Sequence, residues 1–412
     1  MGSTSLLLAI STALITWTLS IFYLSNREIL GIGSDLSSGL LIAENEDEEN
    51  VVREEVPMQG LNKTFKTKIK TYINMTNYNG PSTIWKSYPY PFPCVPGEEK
   101  HMLITPAHEG IFFQRPVKTG STSMTGIILR LVERYKPPEM TTRCRYRAMH
   151  ETSQRLDFAN RDPTKSYLLS VVRDPTLKAI SRYFHFDVTI GQKVPTDEHF
   201  QAMMRRPYNR NDLYQQLVTH YPGRGTLTQA EMVQEILDSY DFIAVTERMD
   251  ESLVIWKILF HLDYYDILFL KARSSGTFSN GPSEKTRPCV YLVPSFLTPT
   301  MQEFFESKEW KDSNAVDIML YQAIYQSLDN TIEAVGKDLF QKQLSLFRQA
   351  KSLAEEFCEG KVRGTCTSGG LLIPAQNRTC VIWGEGCDYQ CLQEFRKKNM
   401  LRGLLQQNIR LQ

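Results

Sequence analysis

The sequence predicts an α/β domain with a mainly parallel central sheet flanked by helices, and three stretches predict it. Ile111 to Tyr135, IFFQRPVKTGSTSMTGIILRLVERY, reads as strand, loop and helix. Its first residues favour strands, and Pro116 ends that run. Ile127, Ile128, Leu131, Val132 and Tyr135 then recur at helical spacing until Pro137 and Pro138. Tyr167 to Val172 is a second apolar strand, running into Arg173 and a helix start at Asp174 and Pro175. Asp241 to Thr246, DFIAVT, is a third, followed by Glu247, Arg248 and a helix carrying Leu253, Val254 and Ile258. Strands alternating with helices argue a parallel sheet, with ligands at the carboxyl ends of its strands, where the loops fall.

In chain order, residues 1–27 come first. Ser5 to Leu24 carry no charge and are mostly apolar, enough to cross a hydrocarbon core of about 30 Å at about 1.5 Å per residue. We read a signal-anchor transmembrane helix. A cleaved signal peptide is the rival, but the apolar run is long and no clear small-x-small site follows it. The sequons at Asn62, Asn74 and Asn377 and all 8 cysteines lie downstream, which suits a lumenal body in an oxidising compartment and a type II topology. Residues 28–100 read as a stem, acidic at Glu44 to Glu55 and rich in proline and aromatics at Ser82 to Pro96.

Residues 101–357 form the main domain. The 412 residues, 42% of them hydrophobic, suffice for one sizeable domain plus appendages. A net charge of +1 lacks the basic excess of a nucleic-acid binder, so no nucleic-acid partner is expected. Beyond the third strand, Asp266 to Leu270 reads as a further strand and Lys271 to Pro288 as a polar loop. From Ser313 to about Phe357 apolar residues recur helically, including Tyr321 and Tyr325, and read as core-facing stripes rather than sugar platforms. Residues 358–412 form a small tail with Cys358, Cys366, Cys380, Cys387 and Cys391. Disulfides would compensate there for a missing core, whereas a zinc site would want a CxxC pair or a nearby histidine, and neither is present.

The chemistry is concentrated in the loop Val117 to Ser123. Gly120 lets the backbone approach a ligand, Ser121, Thr122 and Ser123 offer hydroxyls, and the following helix points unpaired N–H groups at the loop. Lys118 adds a positive charge where an anion would lie. The arrangement is P-loop-like, yet the lysine precedes the glycine and GxxxxGKS or GxxxxGKT is absent. The neighbouring strand delivers Arg173 instead of a magnesium-holding aspartate, which disfavours a nucleotide kinase and calls for a second anion. Lys178, Ser181 and Arg182 follow on the helix after it. Between the loops lies the basic stretch Arg143 to Phe158, RCRYRAMHETSQRLDF, with His150 as the candidate general base because imidazole titrates nearest to operating pH. Glu151 is the fallback, and His108, His185 and His199 are weaker candidates. Arg143, Arg145, Arg147 and Arg155 are candidates for binding an acidic acceptor.

Together, PVKTGSTS and the later RDPTLKAISRYF resemble the two cofactor-binding motifs of the Golgi membrane-bound sulfotransferase family, especially the carbohydrate sulfotransferases related to heparan sulfate 2-O-sulfotransferase. The resemblance covers roughly 111–250 well and weakens towards 357. It implies the co-substrate 3′-phosphoadenosine 5′-phosphosulfate and no metal. By it, Lys118, Thr119, Gly120, Ser121, Thr122 and Ser123 would bind the 5′-phosphosulfate, with Lys118 also catalytic, and Arg173 and Ser181 would bind the 3′-phosphate. The heparan enzyme also has a histidine a similar distance before its RDP motif, followed by an LDF segment, which supports His150. The polar loop Lys271 to Pro288 is read as a plain connecting loop, with closure over the adenosine and its 3′-phosphate as the alternative. The expected function is sulfuryl transfer to a hydroxyl of an acidic glycan acceptor, at the lumenal face of the Golgi membrane. The alternatives are a protein-tyrosine sulfotransferase and a catalytically silent nucleotide- or glycan-binding protein of the secretory pathway.

Overall fold

The computed structural model describes residues 73, 75, 78–88, 94, 108–140, 144–150, 152–219, 227–270, 278–280, 289–362, 365–367, 370–373 and 388–409. The expected anchor, most of the stem, all three sequons and most of the 271–288 loop lie outside them. Among the described residues, no helix is long and apolar enough to cross a membrane.

Four parallel strands lie in the order β2-β1-β3-β4: β1 Gly110–Gln114, β2 Tyr146–Met149, β3 Ser166–Val172 and β4 Phe242–Val245. Gln114 pairs with Met149, Gly110 with Ser166, and Val172 with Val245. β1, β3 and β4 are buried along their whole length, so both faces are covered, and GIFFQ and SYLLSVV read as continuous runs for that reason.

Helix α1, Ser121–Arg134, makes the first crossover. α2, Pro175–Tyr183, continues as a π-helical segment, Phe184–Ile190. α3 Asp197–Met204, α4 Asp212–Leu217 and α5 Gln229–Ser239 lead on to β4. α6 Met249–Leu259 and α7 Tyr264–Ile267 follow. Later come α8 Pro299–Glu306, α9 Lys308–Ser313, α10 Ala315–Val335, α11 Lys337–Phe357 and α12 Tyr389–Lys397. α10 packs on β4 and α5, α11 on α6, and α12 on α1. The main core surrounds the sheet, and a second, built by Tyr183, Phe184, Phe200, Phe305 and Trp310, joins the end of α2 to α3, α8 and α9.

Four local expectations change. Asp266 to Leu270, expected as a strand, begins inside α7, because Asp263 and Asp266 form a reciprocal capping box that starts a helical turn. Residues 268–270 then serve as anchors: Leu268 O accepts from the Arg130 guanidinium, and Leu270 N donates to Asp388 Oδ2 at 2.8 Å. Within the basic stretch, Tyr146–Met149 is an edge strand. Part of the expected stem belongs to the core: Trp85 is 4% exposed, its backbone N–H donates to Thr331 Oγ1 at 3.0 Å, and its ring stands edge-on to Phe242. Tyr88 N donates to Leu259 O at 3.0 Å, so 81–88 strap the domain. Finally, the tail is not a separate appendage. Cys358 and Cys391 form a disulfide joining the end of α11 to α12, and Leu392, Phe395 and Leu401 are buried in the main core. A second disulfide, Cys94–Cys144, ties Cys94 to the entry of β2.

Candidate functional site

The carboxyl ends of all four strands border a cleft of about 1070 Å³. Its floor is the loop from β1 to α1. Arg115 N donates to Met149 O at 3.0 Å and Val117 N to Gln216 Oε1 at 3.0 Å, which hold the loop's start. Lys118 and Gly120 both have left-handed backbones, φ 64° and 76°, on either side of Thr119. Such alternation turns successive N–H groups toward one side, a concavity suited to an anion. Gly120 is also the N-cap of α1, which has no side-chain cap and no acidic residue in its first turn. The positive end of the helix is thus left for a ligand.

Thr246, at the end of β4, bolts this loop to the sheet: its Oγ1 lies 2.5 Å from Thr119 O and 2.7 Å from Val172 O. Lys118, Gly120, Ser121, Thr122 and Ser123 line the cleft. Thr119 departs from expectation. Its side chain is fully buried and its hydroxyl donates to Pro116 O at 2.8 Å, so it shapes the turn and leaves only backbone for a ligand.

His150 directly follows β2, and the parallel register sets it beside Arg115 at the loop's entry. Its Nδ1 is 2.7 Å from Arg115 O. A carbonyl only accepts, so this contact keeps the proton on Nδ1 and, in the neutral ring, the lone pair on Nε2. The ring is exposed and lines the cleft, as a base meeting a substrate hydroxyl must.

Arg173 leaves the end of β3 into the same cleft. Its Nη1 donates to Lys118 O at 3.3 Å, and its Nε is 3.6 Å from Glu247 Oε1. Glu247 also accepts from Tyr321 OH at 3.2 Å and Asp174 N at 3.4 Å. Burial pushes the Glu247 carboxyl up and the Arg173 guanidinium down. Asp174, N-cap of α2, is pushed up to about 6 by the same burial. Of the polar residues on α2, Ser181 faces the cleft. Lys178 is buried against Asp212, and Arg182 donates to that carboxylate at 3.0 Å.

Other expected contacts fall elsewhere. Arg145, Arg147 and Arg155 do not line the cleft, and Arg147 is 5% exposed, so of the described part of that basic stretch it is His150 that faces it. Arg143 and Glu151 lie outside the described residues. His108 and His199 also stand away from the cleft, whereas His185 lines it.

Two cations on the lining carried no local signal. Arg348 and Lys351 of α11 interrupt an apolar stripe of Leu344, Phe347, Ala350 and Ala354, and only the fold brings them opposite the loops. Lys351 Nζ pairs with Asp250 Oδ1 at 2.7 Å and lies 4.1 Å over the Phe269 ring, while Arg348 Nε is 3.9 Å from Asp250 Oδ2. Counted around the cleft, Lys118, Arg173, Arg248, Arg348 and Lys351 outnumber Glu247, Asp250 and Glu251. Arg248 is held by Glu251 and by Asp329 at 2.6 Å.

Fold and site together define a parallel α/β protein with a cationic, anion-receptive cleft at the carboxyl edge of its sheet. No protein-family model matches the chain, and no curated protein matches it.

Proposed function

We propose that the chain is a sulfotransferase that moves the sulfuryl group of 3′-phosphoadenosine 5′-phosphosulfate to a hydroxyl of an acidic glycan. The observation that carries the reading is the convergence of both sequence motifs and His150 on one cleft. Lys118, the hydroxyls of Ser121 to Ser123 and the uncapped first turn of α1 would hold the 5′-phosphosulfate. Arg173 and Ser181 would hold the 3′-phosphate. The uncapped helix end, the left-handed loop and the excess of cations fit a ligand with phosphate at both ends.

In the transfer, His150 Nε2 takes the proton of the acceptor hydroxyl as its oxygen bonds to sulfur. The bond from sulfur to the bridging phosphate oxygen breaks in line, and Lys118 with the loop N–H groups meets the charge left on that oxygen. The uncharged amino-terminal stretch and the disulfides Cys94–Cys144 and Cys358–Cys391 support a type II protein of the Golgi membrane with its body in the lumen.

The test is binding of adenosine 3′,5′-bisphosphate against ADP and ATP without metal, then transfer of labelled sulfate to a glycan panel. Selective binding of the bisphosphate and a labelled glycan are expected, with transfer abolished in Lys118→Ala. Equal binding of all three nucleotides, or transfer untouched by that substitution, would sink the reading.

A further inference from the structure

The cleft has a wall that the two anion-binding loops leave unused. It is the π-helical segment Phe184–Ile190, which continues α2 past Ser181 and lends Phe184, His185, Phe186 and Thr189 to the lining. Phe184, His185 and Phe186 follow one another at the start of this segment, where the wider i→i+5 turn begins, and such turns cluster at functional sites.

The three do different work. Phe184 is 2% exposed and packs edge-on to Phe296 in the second core. Phe186 is 44% exposed and, among the described residues, is the large exposed apolar side chain that lines the cleft. Its ring stands edge-on to His185, with centroids 4.8 Å apart. The backbone beneath it is held firmly. Gly191 N donates to Phe186 O and Lys193 N to Asp187 O, each at 2.9 Å, and Val293 N donates to Thr189 Oγ1 at 3.2 Å. A Cβ at Gly191 would lie 2.8 Å from Asp187 O, so the turn that closes the segment has room for glycine alone.

Resting on the reading above, the geometry points to Phe186 as the acceptor platform, a specificity-determining residue on which a pyranose ring of the glycan lays its C–H face. An aromatic face carries negative quadrupole density and excludes water from the apolar side of a sugar, while the sugar hydroxyls stay at the rim within reach of polar groups such as His185. Phe186 follows Ser181 by five residues along the same helical run, and its effect on nucleotide binding separates an acceptor platform from an adenine stack.

The experiment loads the full-length protein with adenosine 3′,5′-bisphosphate and titrates it with chondroitin, heparosan and laminarin, acidic and neutral polysaccharide probes. Wild type is expected to bind at least one. Phe186→Ala should weaken that binding roughly tenfold, and Phe186→Tyr should stay within about threefold of wild type, with bisphosphate binding unchanged in both. The platform is overturned if Phe186→Ala binds the probes as wild type does, if it loses the bisphosphate as an adenine-stacking residue would, or if bisphosphate-loaded wild type binds none of the three. Failure of wild type to bind the bisphosphate would instead remove the sulfotransferase reading, and the platform with it.

Discussion

His150 is the residue whose role depends most on one hydrogen bond. With Nδ1 tied to Arg115 O, the ring is oriented before any substrate arrives. His150→Ala should lower kcat by about 10²- to 10⁴-fold while leaving bisphosphate affinity within about twofold, read by single-turnover sulfate transfer and nucleotide titration. A fall in nucleotide affinity of the same size would make it a binding residue instead. That Lys118, Gly120 to Ser123, Arg173 and Ser181 face one cleft was legible in the sequence because each lies in a strand–loop–helix run whose element types are set locally. The inward turn of the Thr119 hydroxyl was not legible, since it depends on Pro116 O within the folded turn. Nor were Arg348 and Lys351, which join the site from a helix far along the chain.

Among elements, the break between α10 and α11 is set by Gly336, whose φ of 99° ends one helix and starts the next. No atom lies within 4 Å of where its Cβ would stand, so a side chain there costs conformational strain and not steric clash. Gly336→Ala should destabilise the protein by about 1–2 kcal/mol in urea unfolding. A neutral result would mean the two helices can be joined differently. The long strands and helices were readable from periodicity, whereas short elements were not. β2 has four residues, one of them Arg147, and no alternation long enough to register. Asp266 to Leu270 carried a strand's composition, but the capping pair of Asp263 with Asp266 itself commits the chain to a helical turn there.

The whole molecule is held by long-range ties that no local pattern announces. The 81–88 strap was read as spacer because proline and aromatic residues also make linkers. In the fold, Trp85 completes the core over β4. Trp85→Ala should cost about 3–5 kcal/mol, and a fragment beginning at 101 should melt well below one beginning at 63. Equal melting would relegate the strap to decoration.

Stability with pH is also a property of the whole. Asp317 on α10 accepts from Leu213 N and Tyr214 N, both at 2.8 Å, and burial pushes its carboxyl from 3.8 up to about 7. A raised carboxyl favours the folded state below its unfolded pKa, and that contribution is lost as pH rises through about 7. Wild type should therefore lose stability between pH values of about 4 and 8, and Asp317→Asn should flatten the profile, as followed by urea unfolding across that range. A wild-type slope unchanged in the variant would place the titration elsewhere.

The contact from Arg173 Nη1 to Lys118 O makes the two halves of the cleft one machine. The arginine proposed to hold one end of the nucleotide also braces the loop backbone proposed to hold the other. Binding at the two ends should then be cooperative, and a double-mutant cycle of Lys118→Ala with Arg173→Ala should depart from additivity by more than about 0.5 kcal/mol. Strict additivity would uncouple the two ends. If they are coupled, a nucleotide lacking either phosphate forfeits more than that phosphate's own share, so discrimination against ordinary cellular nucleotides arises from the linkage itself.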